Sequence, residues 1–460
     1  MLVPINLTGP SSESRAPFLN NQKTQNLYPE VNDKQFILNS FPGVKAFSTG
    51  TGTDRGMFTH LGILYQVQAD SLFTIDSAGT RTNRGIITGG ERCIFAGIGA
   101  NVVIVTNGFV FQWNGTTLTP ITDVDLETPN SVAHLNNQII YDGDGGRWVV
   151  SDVGDATSVQ GLNYATAESH ADDLIRVYVY DQILYLFGDK TIEAWWNSGN
   201  GNPPFDRFEV IIPVGLGSLH SVARNDNRIY FLGDDRQVYV LKNTAVNRIS
   251  DVNIANQIEN LSVTLDAQGH TYTFQGQNFY ELTFPTADRS FAYSESVGQW
   301  FELSSGSTGG RHITSAYVYV FNKCLASDHR NGNIYELNID TFDEFGDAII
   351  RIRDSDLLSG DQIRASGKEL TMNRLELILE TGVGTTGQGL DPVVMMQFSD
   401  DGGRTFSTEM WATVGKAGDF VWKVEWFDLG AFYYRVLRFK MSDPVLWTIR
   451  GANADIVIGL

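Results

Sequence analysis

Short runs in which apolar and polar residues alternate, bounded by Gly, Asn and Asp, recur along most of the chain, and few segments carry helical periodicity. Alternation with a period of two sends neighbouring side chains to opposite faces, so the pattern predicts a mostly antiparallel, all-β chain. The runs come in pairs. A first strand with an Ile/Leu-Tyr centre stands at Gly62-Ile-Leu-Tyr65, Asn137-Gln-Ile-Ile-Tyr141, Asp181-Gln-Ile-Leu-Tyr185 and Asn227-Arg-Ile-Tyr230. Second strands start at Asp70, Gly108, Arg147, Lys190, Gln237, Gln277 and Gly332. The unit thus recurs about every 38 to 55 residues, the range of four-stranded propeller blades. A β-propeller of about seven blades, with six as the alternative, buries both faces of each small sheet and leaves only short edges. No unit carries a WD or kelch signature, and a sandwich or β-solenoid is the competing arrangement.

The pattern changes at both ends. Residues 1–35 are polar and turn-rich (Asn6, Gly9-Pro10, Asn20-Asn21) and read as an extended arm lying over the domain or a neighbour, with the propeller spanning 36–353. After Ser359-Gly-Asp361 come longer alternating strands at Asn373–Leu379, Val393–Phe398 and Tyr434–Lys440, which predict a C-terminal β-sandwich over 354–460.

Composition narrows the function. At 460 residues the chain exceeds the roughly 250 to 300 at which single cores stop growing, in keeping with two domains. Cys93 and Cys324 both lie in apolar runs and read as two buried thiols, not as a disulfide framework. The segment Met1–Leu7 does not resemble a signal peptide, and no apolar run approaches the roughly 20 residues of a membrane anchor. A formal charge of −20, from 53 acidic and 33 basic residues, argues against gripping DNA by its phosphates, which needs clustered Lys and Arg.

The most distinctive motif is Ser399-Asp-Asp-Gly-Gly-Arg-Thr-Phe406, an Asp-box-like turn in which Ser399, Asp401, Gly403, Thr405 and Phe406 carry the pattern. Its physics is that of a hairpin: glycines take positive φ, Ser and Asp accept backbone N–H groups, and Phe406 anchors the turn in the core. Two acidic runs, Asp142-Gly-Asp144 and Asp340 to Asp347, lack the spacing of a calcium loop and read as solvated turns. His60, His134, His170, His220, His270, His312 and His329 are scattered without a zinc-binding pair. The pairs Asp172-Asp173 and Asp234-Asp235 read as exposed turn carboxylates, and Trp195, Trp196, Trp411, Trp422, Trp426 and Trp447 mostly as core. No nucleophile elbow, P-loop or dinucleotide fingerprint is present, so no catalytic, cofactor or metal residue is assigned.

Several segments in order resemble the packaged-DNA stabilisation proteins of short-tailed bacteriophages, also called tail hub or head-completion proteins. They are Asn26-Leu-Tyr-Pro-Glu30, Ser40-Phe-Pro-Gly-Val44, Thr191–Asn197 with Asn202-Pro-Pro-Phe205, Ser218–Val222 with Tyr230–Asp234, Phe279–Ala287, and the Ser399 turn continuing to Ser442-Asp-Pro444. The chain departs from the family around Gly215-Leu-Gly217, where a Cys-Ala-Ala-Pro-like pattern is missing. The resemblance implies a non-enzymatic virion protein: a hexameric ring plugging the channel below the portal adaptor, retaining genomic DNA by closure and contacting a tail needle and tailspikes. The rival readings are a sialidase-like glycan hydrolase on the propeller and a trimeric receptor-binding tail protein.

Overall fold

The computed structural model describes residues 1–459, apart from 8, 10, 14–20, 33–34, 168–171 and 386. Among the described residues seven four-stranded antiparallel units follow one another along the chain. Five are separate sheets, over residues 54–86, 94–120, 132–166, 174–212 and 223–248; the sixth, 268–305, and the seventh, begun by Thr314–Val320, Lys323–Asp328 and Ile334–Asn338, belong to larger sheets. The fourth strand of the seventh unit comes from the start of the chain: Gly43–Ser48 pairs with Ile334–Asn338, with Val44 opposite Leu337. The innermost strand of this unit packs beside that of the first, Asp54–His60, so the units close into a ring.

Seven apolar cores, one between each pair of neighbouring blades, hold the ring. Tyr65, Val67, Val102 and Trp113 fill the gap between the first two blades, and Met57, Leu64, Leu325 and Ile334 fill that between the seventh and the first. Each blade therefore buries both faces, which is why its strands read as nearly continuous apolar runs such as Ile183–Gly188 and Arg228–Leu232. Hairpins between strands turn through two residues of positive φ, as at Leu61-Gly62, Asn136-Asn137 and Asp181-Gln182. That is the turn whose twist suits adjacent antiparallel strands. Among the described residues the one α-helix is Val252–Glu259, capped by Asp251, whose carboxylate accepts from Asn253 and Ile254 N at 2.8 and 2.9 Å. It lays Ile254 and Ile258 into the core between the fifth and sixth blades.

The paired strands expected from sequence are found, with one slip. In six blades the predicted second strand is the third of its sheet, whereas in the sixth blade Gln277–Phe284 is the second, after Gln268–Phe274. The segment 268–274 lacks an Ile/Leu-Tyr centre, so its hairpin was invisible in the repeat.

The last hundred residues form a β-sandwich. One sheet contains Leu370–Leu379, Val424–Phe427 and Thr448–Ile458; the other contains Val393–Ser399, Met410–Thr413 and Tyr434–Met441. Leu375, Met396, Leu437, Trp447 and Ile456 fill the space between them. Residues read as an N-terminal arm differ from that expectation where they are described. Leu2–Ile5 pairs with Thr448–Ile458, and Leu27–Asn32 joins the same sheet through Gln35–Ser40. Val3, Ile5 and Leu7 lie in the sandwich core, where burial of apolar side chains outweighs the polar turns between them.

Ring closure depends on close approach at Gly43. A Cβ there would stand 2.3 Å from the Asp343 carbonyl oxygen and 2.8 Å from that of Thr341, both backbone atoms. Gly43→Ala is therefore expected to destabilise the fold by about 1 to 3 kcal/mol, read as a lower urea midpoint with an unchanged slope.

Candidate functional site: the joint between propeller and sandwich

The propeller and the sandwich share one sheet. Thr24–Gln25 pairs with the sixth blade through Gln25 opposite Glu302, and on its other edge with Arg351–Asp354. Arg351–Asp354 in turn pairs with Tyr434–Met441 of the sandwich, giving eleven strands in all. Asn26 follows with φ of 54°, a left-handed conformation that Asn tolerates better than most residues. Its side-chain Oδ1 accepts from Ser304 N, and its Nδ2 donates to the carbonyls of Ser304 and Ile350, each at 2.9 Å. Its backbone N–H donates to Glu302 O, and its carbonyl accepts from Phe41 N. One buried residue thus ties the sixth blade, the chain entering the sandwich, and the strand that returns to close the ring.

Strand alternation does the rest. Leu27 enters the sandwich core, and the next residue, Tyr28, enters the core between the sixth and seventh blades. Leu38 and Phe41 divide in the same way. Among the described residues three arginines are fully buried around the joint and in the sandwich, a position tolerated only where acceptors meet the guanidinium. Arg351 donates to Asp443 O at 3.0 Å and Phe342 O at 2.9 Å; Arg353 donates to Gln22 Oε1 at 2.6 Å and to the Thr24 hydroxyl. Burial pulls both guanidinium pKa values down to about 10. Arg435 grips Asp400 with a two-pronged ion pair at 2.7 and 2.8 Å between the Phe398 and Phe432 rings.

The Asp-box-like turn lies at the end of Val393–Ser399. Ser399 Oγ donates to Asp401 Oδ1 at 2.7 Å and accepts from Gly403 N at 2.8 Å, while Asp401 Oδ1 accepts from Arg404 N and Thr405 N at 2.9 Å. Thr405 Oγ1 donates to Asp401 Oδ2 at 2.6 Å, and these hydrogen bonds hold Asp401 well below the usual carboxylate range. Gly402 and Gly403 have φ of 78° and 87°. Phe406 differs from expectation: it is half-buried, with the Arg438 guanidinium 3.7 Å from its ring centre. Arg438 also forks onto Asp354 at 2.7 and 2.8 Å, so the turn is tied to the joint through a cation, not through the apolar core.

The other candidates separate. Asp142 is buried and accepts from Asn130 and Ser131 N, with burial raising its pKa to about 7, whereas Asp144 accepts from Thr128. Glu344 is buried against Ser305, and Asp340 is exposed. Among the described residues no three His, Cys, Asp or Glu side chains are placed to hold a metal ion. Asp172 is buried and accepts from Thr191 N and Oγ1, contrary to the exposed-turn reading. Trp426 and Trp447 are core, but Trp196, Trp411 and Trp422 are exposed, which corrects the reading of these tryptophans as mostly core. Cys93 is buried and Cys324 half-buried, both as free thiols, and burial pushes them up to about 11 and 12. His170, Pro10 and Asn20 lie outside the described residues.

The histidines hold an arrangement that their spacing concealed. His312 Nδ1 stands 3.0 Å from Glu281 Oε1, and His270 Nε2 is 3.5 Å from Oε2, at the seam of the sixth and seventh blades. Burial pushes Glu281 up, but the two imidazoles outweigh it and hold the carboxyl well below its usual range. Burial likewise pulls His312 down, and Glu281 more than reverses this.

Two outcomes follow from these contacts. Asn26→Ala leaves the Ser304 N–H and the Ile350 carbonyl without their partner and keeps an unfavourable φ, so stability should fall by about 2 to 4 kcal/mol in urea denaturation. For His312, the folded pKa is raised, so its contribution is complete below the unfolded value of about 6.5 and fades as pH rises through the folded value. His312→Gln should lower the urea midpoint by an amount equivalent to about 3 kcal/mol near pH 6, and the difference from wild type should shrink toward pH 9.

Among solved structures the chain is similar to virginiamycin B lyase from Staphylococcus aureus, at 10% identity and a TM-score of 0.45, covering 64% of this chain and 97% of that one. It is similar as well to the WD40 domain of Pan2 from Neurospora crassa, at 9% identity and a TM-score of 0.44, covering 65% and 96%. BamB from Moraxella catarrhalis gives 10%, 0.39, 73% and 97%. No curated protein matches the chain. Residues 1–342 match the family model described as bacteriophage P22 Gp10, beta-propeller, and residues 357–457 the one described as bacteriophage P22 Gp10, beta-sandwich. With both domains matched in order, across the joint that Asn26 ties, the chain belongs to the bacteriophage P22 Gp10 family of phage structural proteins.

Proposed function

We propose that six copies form a ring below the portal and its adaptor ring, close the exit channel after packaging, and provide the hub to which the tail needle and tailspikes attach. The observation that carries this reading is the continuous eleven-stranded sheet from propeller to sandwich. A hinge between the domains would have to break ladder hydrogen bonds and expose two cores, so each subunit acts as one stiff wedge. Resistance to a pressurised genome needs stiffness and interface area, and the net charge of −20 discourages DNA from settling against the surface.

The sandwich is the domain we assign to the adaptor. Its free edge, at Met410–Thr413 and Val424–Phe427, carries exposed Trp411, Phe420, Val421, Trp422 and Phe427. Exposed aromatics are typical of protein interfaces, and a ring requires a lateral, head-to-tail contact distinct from the axial one. No step in this role needs a catalytic residue or cofactor. Among the described residues no helix is long and apolar enough to cross a membrane.

Particles assembled without the protein should package DNA and then lose it, measured as DNA content per head before and after purification. Imaging of intact particles should place six copies at the vertex through which DNA leaves. Normal DNA retention without the protein, or a different location, would end this reading.

A further inference from the structure

Four Asn-Gly pairs stand in the chain, at Asn107-Gly108, Asn114-Gly115, Asn200-Gly201 and Asn331-Gly332. In such a pair the backbone nitrogen of the glycine can attack the side-chain carbonyl carbon of the asparagine, because glycine carries no Cβ to shield it and reaches the backbone angles that the attack needs. The reaction requires a glycine N–H and a side-chain amide that are both at liberty to move together. All four pairs have the same dipeptide, so the tertiary structure decides which of them meets that condition.

Three of them are restrained. Gly332 is buried and its N–H donates to the Asp328 carbonyl at 3.0 Å, while Asn331 Oδ1 accepts from Asn333 N at 3.0 Å. Gly108 N donates to the Pro129 carbonyl at 3.1 Å, and Asn107 Nδ2 to the Gly89 carbonyl at 3.4 Å. At Asn114 the side-chain oxygen accepts from Thr116 N at 3.0 Å and Thr117 N at 2.8 Å, which holds the amide in its turn. Asn200-Gly201 differs on each count. The pair is exposed in the hairpin that joins Ile192–Asn197 to Phe205–Ile212, the third and outermost strands of the fourth blade. Among the described residues neither the Asn200 side chain nor the Gly201 N–H has a hydrogen-bond partner, although Asn200 N itself donates to Ser198 Oγ at 3.3 Å. The base of the hairpin is held, with Ser198 N donating to the Pro204 carbonyl at 3.0 Å, so the freedom is confined to its tip.

We propose that Asn200 is a site of spontaneous covalent modification, converting to aspartate and isoaspartate in the folded protein ahead of the other three pairs. Gly201 N, on losing its proton to base, bonds to Asn200 Cγ; the Cγ–Nδ2 bond breaks, and Nδ2 leaves as ammonia with the proton returned to it. Water then opens the cyclic imide. Cleavage of the new bond between Gly201 N and Cγ leaves an aspartate, and cleavage between that nitrogen and the Asn200 backbone carbonyl carbon leaves an isoaspartate, whose main chain runs through the side-chain carbon. The sum is asparagine and water giving a carboxylate and ammonia, with no oxidant, enzyme or cofactor. The new charge appears two residues from Asn202, which with Leu162, Tyr164, Trp195, Pro203 and Phe205 lines a cleft of about 640 Å³ on the third and fourth blades. The rim of that cleft therefore grows more acidic as the protein ages, on a chain already carrying −20.

The test incubates the full chain under mildly acid and mildly alkaline conditions and follows each Asn-Gly peptide over time by mass spectrometry, with isoaspartate detected by enzymatic methyl transfer. Asn200 should convert at least about fivefold faster than Asn107, Asn114 or Asn331, each of which must first give up a hydrogen bond. The rate at Asn200 should rise with pH, since the attacking nitrogen must lose its proton. Asn200→Gln, in which attack would need a larger ring, should remove the fast phase and leave the other three sites unchanged. In urea the four rates should converge, because unfolding frees every pair alike. Conversion at Asn331 or Asn107 as fast as at Asn200 in the folded chain would overturn the proposal. So would an Asn200 lead that persists undiminished in urea, since local sequence and not the fold would then set it.

Discussion

The strand from Thr24 to Tyr28 is the constraint on which the rest of this protein depends. Its period-two alternation, which in an ordinary strand separates core from water, here separates two cores, with Leu27 in the sandwich and Tyr28 in the propeller. Neither domain can shift against the other without withdrawing one of these side chains, and Asn26 fixes the register at which they diverge. A buried amide that uses both its ends is sensitive to displacement, because each lost partner leaves a desolvated polar group behind.

The polar interior follows the same logic. Arg351, Arg353 and Arg435 are held at positions where apolar residues would be easier to bury. Their acceptors come from distant segments: Gln22 and Thr24 from the start of the chain, and Asp400 and Asp443 from the sandwich. A guanidinium whose acceptors come from several strands is compatible with one arrangement of those strands, so these groups specify the joint more than they strengthen it. Glu281, set between two imidazoles, marks the seam of the sixth and seventh blades in a comparable way.

For a structural member of a phage family, these features matter mechanically. The propeller is closed by a strand from the start of the chain, and the sandwich takes in the first strand as well as the last. Both domains therefore form only once distant parts of the chain have met. Such long-range pairing is slow to assemble but leaves few places where the native structure can open locally.

The alternating runs by themselves determined the all-β class, the succession of blades and the presence of a C-terminal sandwich, because strand periodicity and turn residues are local properties. The Asp-box-like turn was legible for the same reason, since its hydrogen bonds join residues at most a few positions apart. Only the tertiary structure decided that Leu2–Ile5 and Leu27–Asn32 are strands of the sandwich, that Phe406 lies under Arg438, and that His270 and His312 share Glu281. Those outcomes rest on contacts between residues tens to hundreds of positions apart, and the free energy of such contacts leaves no periodic trace in the segments that make them.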